Sequence, residues 1–371
     1  MISRKKQSIL LSGKTEFQFE ILFVDDIFNS IKLMDGIVQG KKLMVVIDPI
    51  IYELYNKQID LLFKAIHCPY LIKPIQIDES EKEMDIVLDL VQEASDFGMR
   101  RDSIFIGFGG GITMDVVGVL ASIYRRGIKY IRIPTTLLGA IDAGVGIKTG
   151  VNFKCKKSLL GTFYPPTYSI ISTQFLSTLP LPQMRNGLFE LLKATLVMDK
   201  SLTIKVEKNI HLFLNHEASQ VTDEIIKETA FEMVRELNNN LFEHSYERIL
   251  DFGHTFSGYI ESSSNYQISH GEAVGMDIII SAHISSQRQW LPNSMLHRLL
   301  ELFKKVGFTN MYKAQPAERF FAYLSELRNH RAGDLNMVLI KDFGHPVFTN
   351  ECSIDEIQKA LEFMKKNGIF R

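Results

Sequence analysis

Glu190, His254 and His270 are the residues of this chain whose types and surroundings best suit chemistry. They stand in the runs Glu190-Leu191-Leu192-Lys193, Gly253-His254-Thr255-Phe256 and His270-Gly271-Glu272-Ala273. Two imidazoles and a carboxylate make the ligand set of a catalytic divalent metal that keeps one coordination position open, typically zinc. A lone histidine is usually structural, and His67, His211, His216, His244, His283, His297, His330 and His345 have nothing around them to lift that expectation. His254 and His270 differ because each adjoins a glycine at an expected helix start, which leaves its imidazole free to project into a cleft. Lys193 follows Glu190 by three residues, on the same helical face, where it could hold a substrate oxygen beside the metal.

A second constellation lies upstream. The run Gly107-Phe108-Gly109-Gly110-Gly111 follows an apolar strand and precedes an apolar helix, the context in which a backbone approaches a pyrophosphate. Glycines at a strand end also serve as plain turns, and this run departs from the usual dinucleotide fingerprint: the third glycine is immediate and no acid closes the following strand. Asp48, Asp115 and the pair Thr135-Thr136 sit where they could meet a nucleotide. Further cationic and polar residues follow at Arg125, Arg126, Asp142, Lys148, Lys154, Lys156 and Lys157, and a substrate phosphate needs such donors converging. The 154–157 cluster reads first as a solvated loop. Lys148, between small and apolar residues in Gly146-Ile147-Lys148-Thr149-Gly150, is expected to be buried against an anionic partner.

The elements that must position these residues form two blocks. From residue 17 to about 135, β-type runs at 17–23, 43–48, 70–77, 104–109 and 130–134 alternate with helical periodicity at 49–66, 81–97 and 114–125. Strands separated by helices imply a mostly parallel, doubly wound sheet, with ligands at the carboxyl ends of its strands. After a loop-rich stretch, 143–182, helical periodicity dominates, with one late β-type run at 336–340. The expected division is residues 1–180 as an α/β domain and 181–371 as a helical one, with the site in the cleft between them. A length of 371 residues fits two domains. The formal charge of −1 gives no global field for nucleic acid or an acidic membrane. Cys68, Cys155 and Cys352 lack metal or redox spacing, which fits a reducing cytoplasm. The apolar Ile9-Leu10-Leu11 is too short for a signal-peptide core, and no run approaches the roughly 20 apolar residues that span a bilayer. A soluble cytoplasmic protein is expected.

The chain resembles the sugar phosphate cyclases of the dehydroquinate synthase superfamily. The matching pieces are Gly109-Gly110-Gly111-Ile112 with Asp115, Tyr124-Arg125-Arg126-Gly127, Ile133-Pro134-Thr135-Thr136-Leu137, the run from Asp142 to Thr149, that from Gly187 to Lys193, Gly253-His254-Thr255-Phe256, and His270-Gly271-Glu272-Ala273-Val274. They occur in the family's order across most of the chain. The resemblance implies an NAD-binding α/β domain, a helical metal-binding domain and a homodimer. It implies NAD contacts at Asp48, Glu79, Lys82, Gly110, Gly111 and Ile112, and further ones at Asp115, Thr135, Thr136, Lys157, Thr178 and Asn186. It puts the metal, zinc or alternatively cobalt, on Glu190, His254 and His270. Substrate contacts and catalytic roles would fall to Asp142, Lys148, Lys193 and Asp251, with Arg126 reaching the neighbouring subunit's site.

The departures concern specificity. Dehydroquinate synthases have asparagine in place of Asp251, histidine in place of Gly258, arginine in place of Glu247 and a lysine near Met233; Ser158 replaces a phosphate-binding asparagine. Losing two cations that help hold a substrate carboxylate favours a substrate without that group. Asp251 and the run from Lys148 to Asn152 resemble the 2-epi-5-epi-valiolone synthase branch, which cyclises sedoheptulose 7-phosphate to a C7 cyclitol with phosphate release. The rival expectations are 3-dehydroquinate synthase, with Arg248 or Arg331 as an alternative carboxylate anchor, and a metal-dependent polyol dehydrogenase of the same architecture.

Overall fold

The computed structural model describes residues 16–154, 156–330 and 333–371; the apolar run 9–11, Cys155 and Arg331 lie outside the described residues. The first half contains β1 (Glu20–Phe23), α1 (Ile31–Val38), β2 (Leu43–Ile47), α2 (Pro49–Ala65), β3 (Tyr70–Pro74), α3 (Met84–Asp96), β4 (Ile104–Gly109), α4 (Gly111–Ile123), β5 (Lys129–Pro134), β6 (Lys148–Phe153), β7 (Lys156–Phe163) and β8 (Tyr168–Ile171). Six of these strands form one sheet in the order β1-β8-β5-β4-β2-β3, and every pairing in it is parallel.

Strand alternation explains why helices cover both faces. Leu43, Val45 and Ile47 of β2, with Ile104, Ile106 and Phe108 of β4, pack against Met34 and Val38 of α1 and Ile59 and Phe63 of α2. Met44, Val46 and Phe105 point the other way, onto Val87 and Leu90 of α3 and Val116 and Leu120 of α4. Strands buried on both faces read as continuous apolar runs, which made β2 and β4 legible. From β2 the chain moves outward to β3 and then returns past β2 to β4, so the order reverses between β2 and β4. That switch point opens a crevice at their carboxyl ends, where Asp48 and Gly110 lie.

Two parts of the 143–182 stretch differ from the expected loop. β8 inserts between β1 and β5, and β6 pairs with β7 as a separate antiparallel hairpin. β8 is only four residues long and follows Pro165 and Pro166, so its apolar content is too brief to stand out.

The second half contains α5 (Leu181–Met198), α6 (Lys200–Leu214), α7 (Gln220–Asn239), α8 (Ser257–Ser263), α9 (His270–Gln287), α10 (Asn293–Val306), α11 (Ala317–His330), β9 (Met337–Asp342), β10 (His345–Thr349) and α12 (Ile354–Lys366). It is helical apart from the antiparallel β9–β10 hairpin, whose first strand is the late β-type run. α5 and α9 are buried almost all round and form the axis of this half. No helix among the described residues is long and apolar enough to cross a membrane.

Candidate active site

Glu190 lies in the middle of α5, enclosed by Leu188, Phe189, Leu191 and Leu192, and is 1% exposed. His270 is the first residue of α9. A reciprocal cap fixes that start: Ser269 Oγ donates to Glu272 Oε2 at 2.9 Å, and Ser269 N donates to the same oxygen at 3.2 Å. α9 approaches α5 closely at Gly271, where any Cβ would fall 2.2 Å from the Asn186 carbonyl oxygen. His254 stands in a loop before α8, rather than in a helix. Its neighbour Gly253 has φ +74° and no space for a side chain beside Val274 and Ile278.

Folding brings the three residues together. One donor atom from each of Glu190, His254 and His270 lies within 4.8 Å of the other two. His270 Nε2 is 3.3 Å and His254 Nε2 4.0 Å from Glu190 Oε1. The opposite nitrogens are anchored: His254 Nδ1 lies 3.2 Å from the Phe252 carbonyl oxygen, and His270 Nδ1 lies 2.9 Å from Glu261 Oε1. These contacts turn both Nε2 atoms toward the carboxylate, the arrangement by which outer partners orient metal ligands. Both Glu190 oxygens are buried without a hydrogen-bonding partner, although Lys193 Nζ is 2.7 Å from Oε2 by charge. A carboxylate so enclosed needs a second cation, and the donor set suits a divalent one.

The electrostatics set the two histidines apart: His254 is held neutral, whereas His270 must lose its proton to take a cation. Burial resists ionisation of Glu190, but Lys193 and the two histidines outweigh it and hold the carboxyl well below its ordinary range. Burial, with Lys193 nearby, pushes His254 down to about 3 and keeps it a neutral ligand. Burial also opposes the charge on His270, but Glu261 overcomes it and raises the imidazole to about 9. Glu261 is correspondingly lowered to about 2: burial works against that shift, and His270 and Lys157 outweigh it. Lys193 stays charged despite complete burial because Glu190, Asp142 and Asp251 surround it.

The histidines open onto a cavity of about 940 Å³ that runs to the crevice between β2 and β4. Of the residues expected at the site, Asp48, Glu79, Lys82, Gly110, Gly111 and Ile112 line it, as do Asp115, Thr135, Thr136, Asp142, Lys148 and Lys157. Asn186, Lys193, Asp251, His254 and His270 complete the set. Three do not line it. Glu190 lies behind, against Lys193 and His270; Thr178 lies beside the wall, with its hydroxyl 2.8 Å from that of Tyr55. Arg126 sits away on the turn after α4, where Arg125 and Arg126 both take left-handed backbone conformations. The first turn of α4, starting after Gly110, has no side-chain cap, so its N–H groups face the crevice and suit a phosphate.

Lys148 departs from the expected burial. It begins β6 at the cavity mouth with its side chain 59% exposed, although it does have an anionic partner, Glu243. Lys154 and Lys156 are solvated as expected. Lys157, its side chain still 35% exposed, lies 2.8 Å from Glu261 Oε2. Asp48 uses one oxygen to cap α2 through Ile50 N at 2.8 Å, and Asp115 pairs with Lys82 at 2.6 Å. Gly258 has a local reason: any Cβ there would meet the Tyr323 hydroxyl at 2.6 Å.

Four residues were missed in the sequence. Glu261 lies on α8 and reaches His270 Nδ1 at 2.9 Å, a contact that nothing in the sequence around it signals. Asp277 accepts from Phe256 N at 2.6 Å and Ser257 N at 3.0 Å, anchoring the chain just beyond His254; burial raises its carboxyl to about 6. Arg132 is fully buried in β5 and donates to the carbonyls of Ala143, Gly146 and Lys148 at 2.7, 2.5 and 3.1 Å, fixing the loop that carries Asp142 and Lys148. Glu243 is the fourth, and the sequence around it gives no sign of its partners.

Two family models, the N-terminal and C-terminal parts of 3-dehydroquinate synthase, match residues 73–186 and 187–330 in direct succession. The chain belongs to the 3-dehydroquinate synthase family. It is similar to the 2-epi-5-epi-valiolone synthase of Streptomyces hygroscopicus subsp. jinggangensis, with 34% identity over 344 residues covering 89% of this chain and 81% of the relative. It is also 34% identical, over 335 residues, to the 3-dehydroquinate synthase of Clostridium tetani, covering 88% and 86%. Among solved structures, ValA, the Streptomyces hygroscopicus 2-epi-5-epi-valiolone synthase with NAD+ and Zn2+ bound, superimposes with a TM-score of 0.91 at 32% identity, covering 96% of this chain and 99% of that one. This family member is therefore an enzyme whose fold matches one described with both cofactors.

Proposed function

We propose that this enzyme is a sugar phosphate cyclase that converts sedoheptulose 7-phosphate to a C7 cyclitol, 2-epi-5-epi-valiolone or an epimer, with release of phosphate. The observation that carries this reading over dehydroquinate synthase is the state of Arg248. Its Nη2 lies 2.7 Å from Asp251 Oδ2 and its Nη1 on Glu243, so it is not free to anchor a substrate carboxylate. The neighbouring Met233 and Glu247 add no cation. Hydroxyl groups at the end of the sugar away from its phosphate suit such a surface, since they donate to carboxylates.

Bound NAD+ would supply a reversible hydride acceptor, and a divalent ion, zinc by the donor set, would supply Lewis acidity. Glu190, His254 and His270 would hold the ion; the α4 N-terminus with Asp48, Glu79, Lys82, Gly110, Gly111, Ile112, Asp115, Thr135 and Thr136 would hold the dinucleotide. Lys157, Thr178 and Asn186 belong to that set by resemblance, but Lys157 is paired with Glu261, Thr178 with Tyr55, and Asn186 accepts from Gly271 N. Lys193, charged and buried beside Glu190, is placed to stabilise the alkoxide and enolate that develop on the sugar. Lys148 would meet substrate anion at the mouth, while Asp142 and Asp251 orient hydroxyls. The phosphate oxygen itself can take the proton as it leaves, and the net reaction is a carbon–oxygen lyase and aldol cyclisation with no redox change.

The break before α5 supports treating residues 1–180 as the cofactor domain and 181–371 as the metal and substrate domain. Arg126, turned away from its own cavity, supports a homodimer in which it serves the partner's site. Free Cys68 and Cys352 fit the cytoplasm. Incubation with sedoheptulose 7-phosphate, NAD+ and a zinc salt, with the product identified by NMR, tests the proposal. A carbocycle is expected; an oxidised open-chain sugar, or turnover confined to the carboxylate-bearing analogue, overturns it.

A further inference from the structure

We infer that Asp277 is a positioning residue of the metal site: from α9 it caps the start of α8, and so holds both histidines in the arrangement that a divalent cation needs. The inference rests on Glu190, His254 and His270 being the metal ligands, and it adds a residue that touches neither metal nor substrate.

Asp277 lies on α9, about two helical turns after His270, and is 0% exposed. Its Oδ2 accepts from Phe256 N at 2.6 Å and from Ser257 N at 3.0 Å, while its Oδ1 accepts from the Ser281 hydroxyl at 3.1 Å. Phe256 and Ser257 are the N-cap and the first residue of α8, and the N-cap side chain makes no capping bond there. The first N–H groups of a helix have no partner within it, so a carboxylate from the neighbouring helix supplies the missing cap.

This contact reaches both imidazoles. Phe256 follows His254 by two residues, and on the other side of His254 the chain at Gly253 lies against Val274 and Ile278, which flank Asp277 along α9. The loop is thus laid onto α9 both before and after the imidazole. α8 also carries Glu261, whose Oε1 is 2.9 Å from His270 Nδ1. The two helices are therefore fastened at two places, by Asp277 at the start of α8 and by Glu261 at the start of α9. A shift of α8 along α9 would displace His254 and the anchor of His270 together.

Stability does not account for a carboxylate at this position. A charge without exposure costs free energy to bury, and an apolar residue of similar volume would fill the space without that cost. What an apolar residue cannot supply is an acceptor. The two buried N–H groups would then draw the start of α8 toward other partners.

The test is competitive chelator titration of zinc, without NAD+ or sugar, on the native protein and on Asp277→Leu, Asp277→Ala and Asp277→Asn, with the unfolding midpoint measured alongside. The leucine and alanine variants lose the acceptor. Their zinc affinity should fall by about tenfold or more, the range known for outer-shell partners, and the visible absorption of the cobalt-loaded protein should change with its ligand geometry. Asp277→Asn, whose one carbonyl oxygen can accept both N–H bonds, should keep zinc affinity and cobalt absorption close to native. A merely structural role would lower the midpoint while the folded variants kept native zinc affinity and cobalt absorption, and that result overturns the inference. If neither apolar variant folds, Asp277→Asn decides: native affinity upholds the cap, and a fall as large as that expected of the apolar variants overturns it. Failure of the native protein to bind zinc counts against the metal site itself, whereas the ratio of variant to native affinity reports on Asp277.

Discussion

Glu261 shows how much of the metal site lies beyond its three ligands. It joins His270 to Lys157, and so connects a residue on the β6–β7 hairpin to the start of α9. Replacing it with glutamine keeps the size but removes the charge that anchors His270 Nδ1 and so orients its ring. Zinc affinity is expected to fall on the order of 10–100-fold, as for other outer-shell partners of metal-bound histidines. Competitive chelator titration reads this, and zinc affinity equal to the native value would contradict the role. Glu190, His254 and His270 were legible because their types match a known ligand set and each has a telling neighbour. Glu261 and Glu243 were not, because a glutamate on a helix or in a polar loop is usually solvated, and only the tertiary fold supplies their partners.

At the scale of elements, the buried arginine of β5 ties the sheet to the catalytic loop. Arg132 satisfies three carbonyls in the segment 143–148, between Asp142 and Lys148. Replacing it with methionine fills most of the space but leaves those acceptors without a donor. At about 1–3 kcal/mol for each buried group left unsatisfied, the cost is roughly 3 kcal/mol or more. The expected result is a clear drop in the unfolding midpoint together with a fall in kcat, since the loop would no longer be held. A variant with native kcat and midpoint would show that the loop holds itself. The strands and helices of the sheet were readable because their apolar runs are buried on one or both faces. β8, α1 and the β6–β7 hairpin were not: β8 and α1 are short, and β7, although eight residues long, is almost wholly exposed, so no alternation marks it.

For the whole molecule, the physical logic is a division of labour across one cavity. The switch point of the sheet offers uncapped helix N–H groups to a dinucleotide, and the helical half offers an enclosed carboxylate and two oriented imidazoles to a cation. The parallel sheet and the helical half were both apparent from periodicity, while their meeting at one cavity depends on contacts distant in sequence. The cyclase reading requires the hydride taken from the sugar to return to it within each turnover, whereas a polyol dehydrogenase of the same architecture would accumulate NADH. The most direct measurement is therefore simultaneous recording of phosphate release and NADH absorbance during turnover of sedoheptulose 7-phosphate with NAD+ present only in amounts matching the enzyme. The account predicts many phosphates released per NAD+ and no net rise in NADH. A rise in NADH that tracks substrate consumption without phosphate release would contradict it.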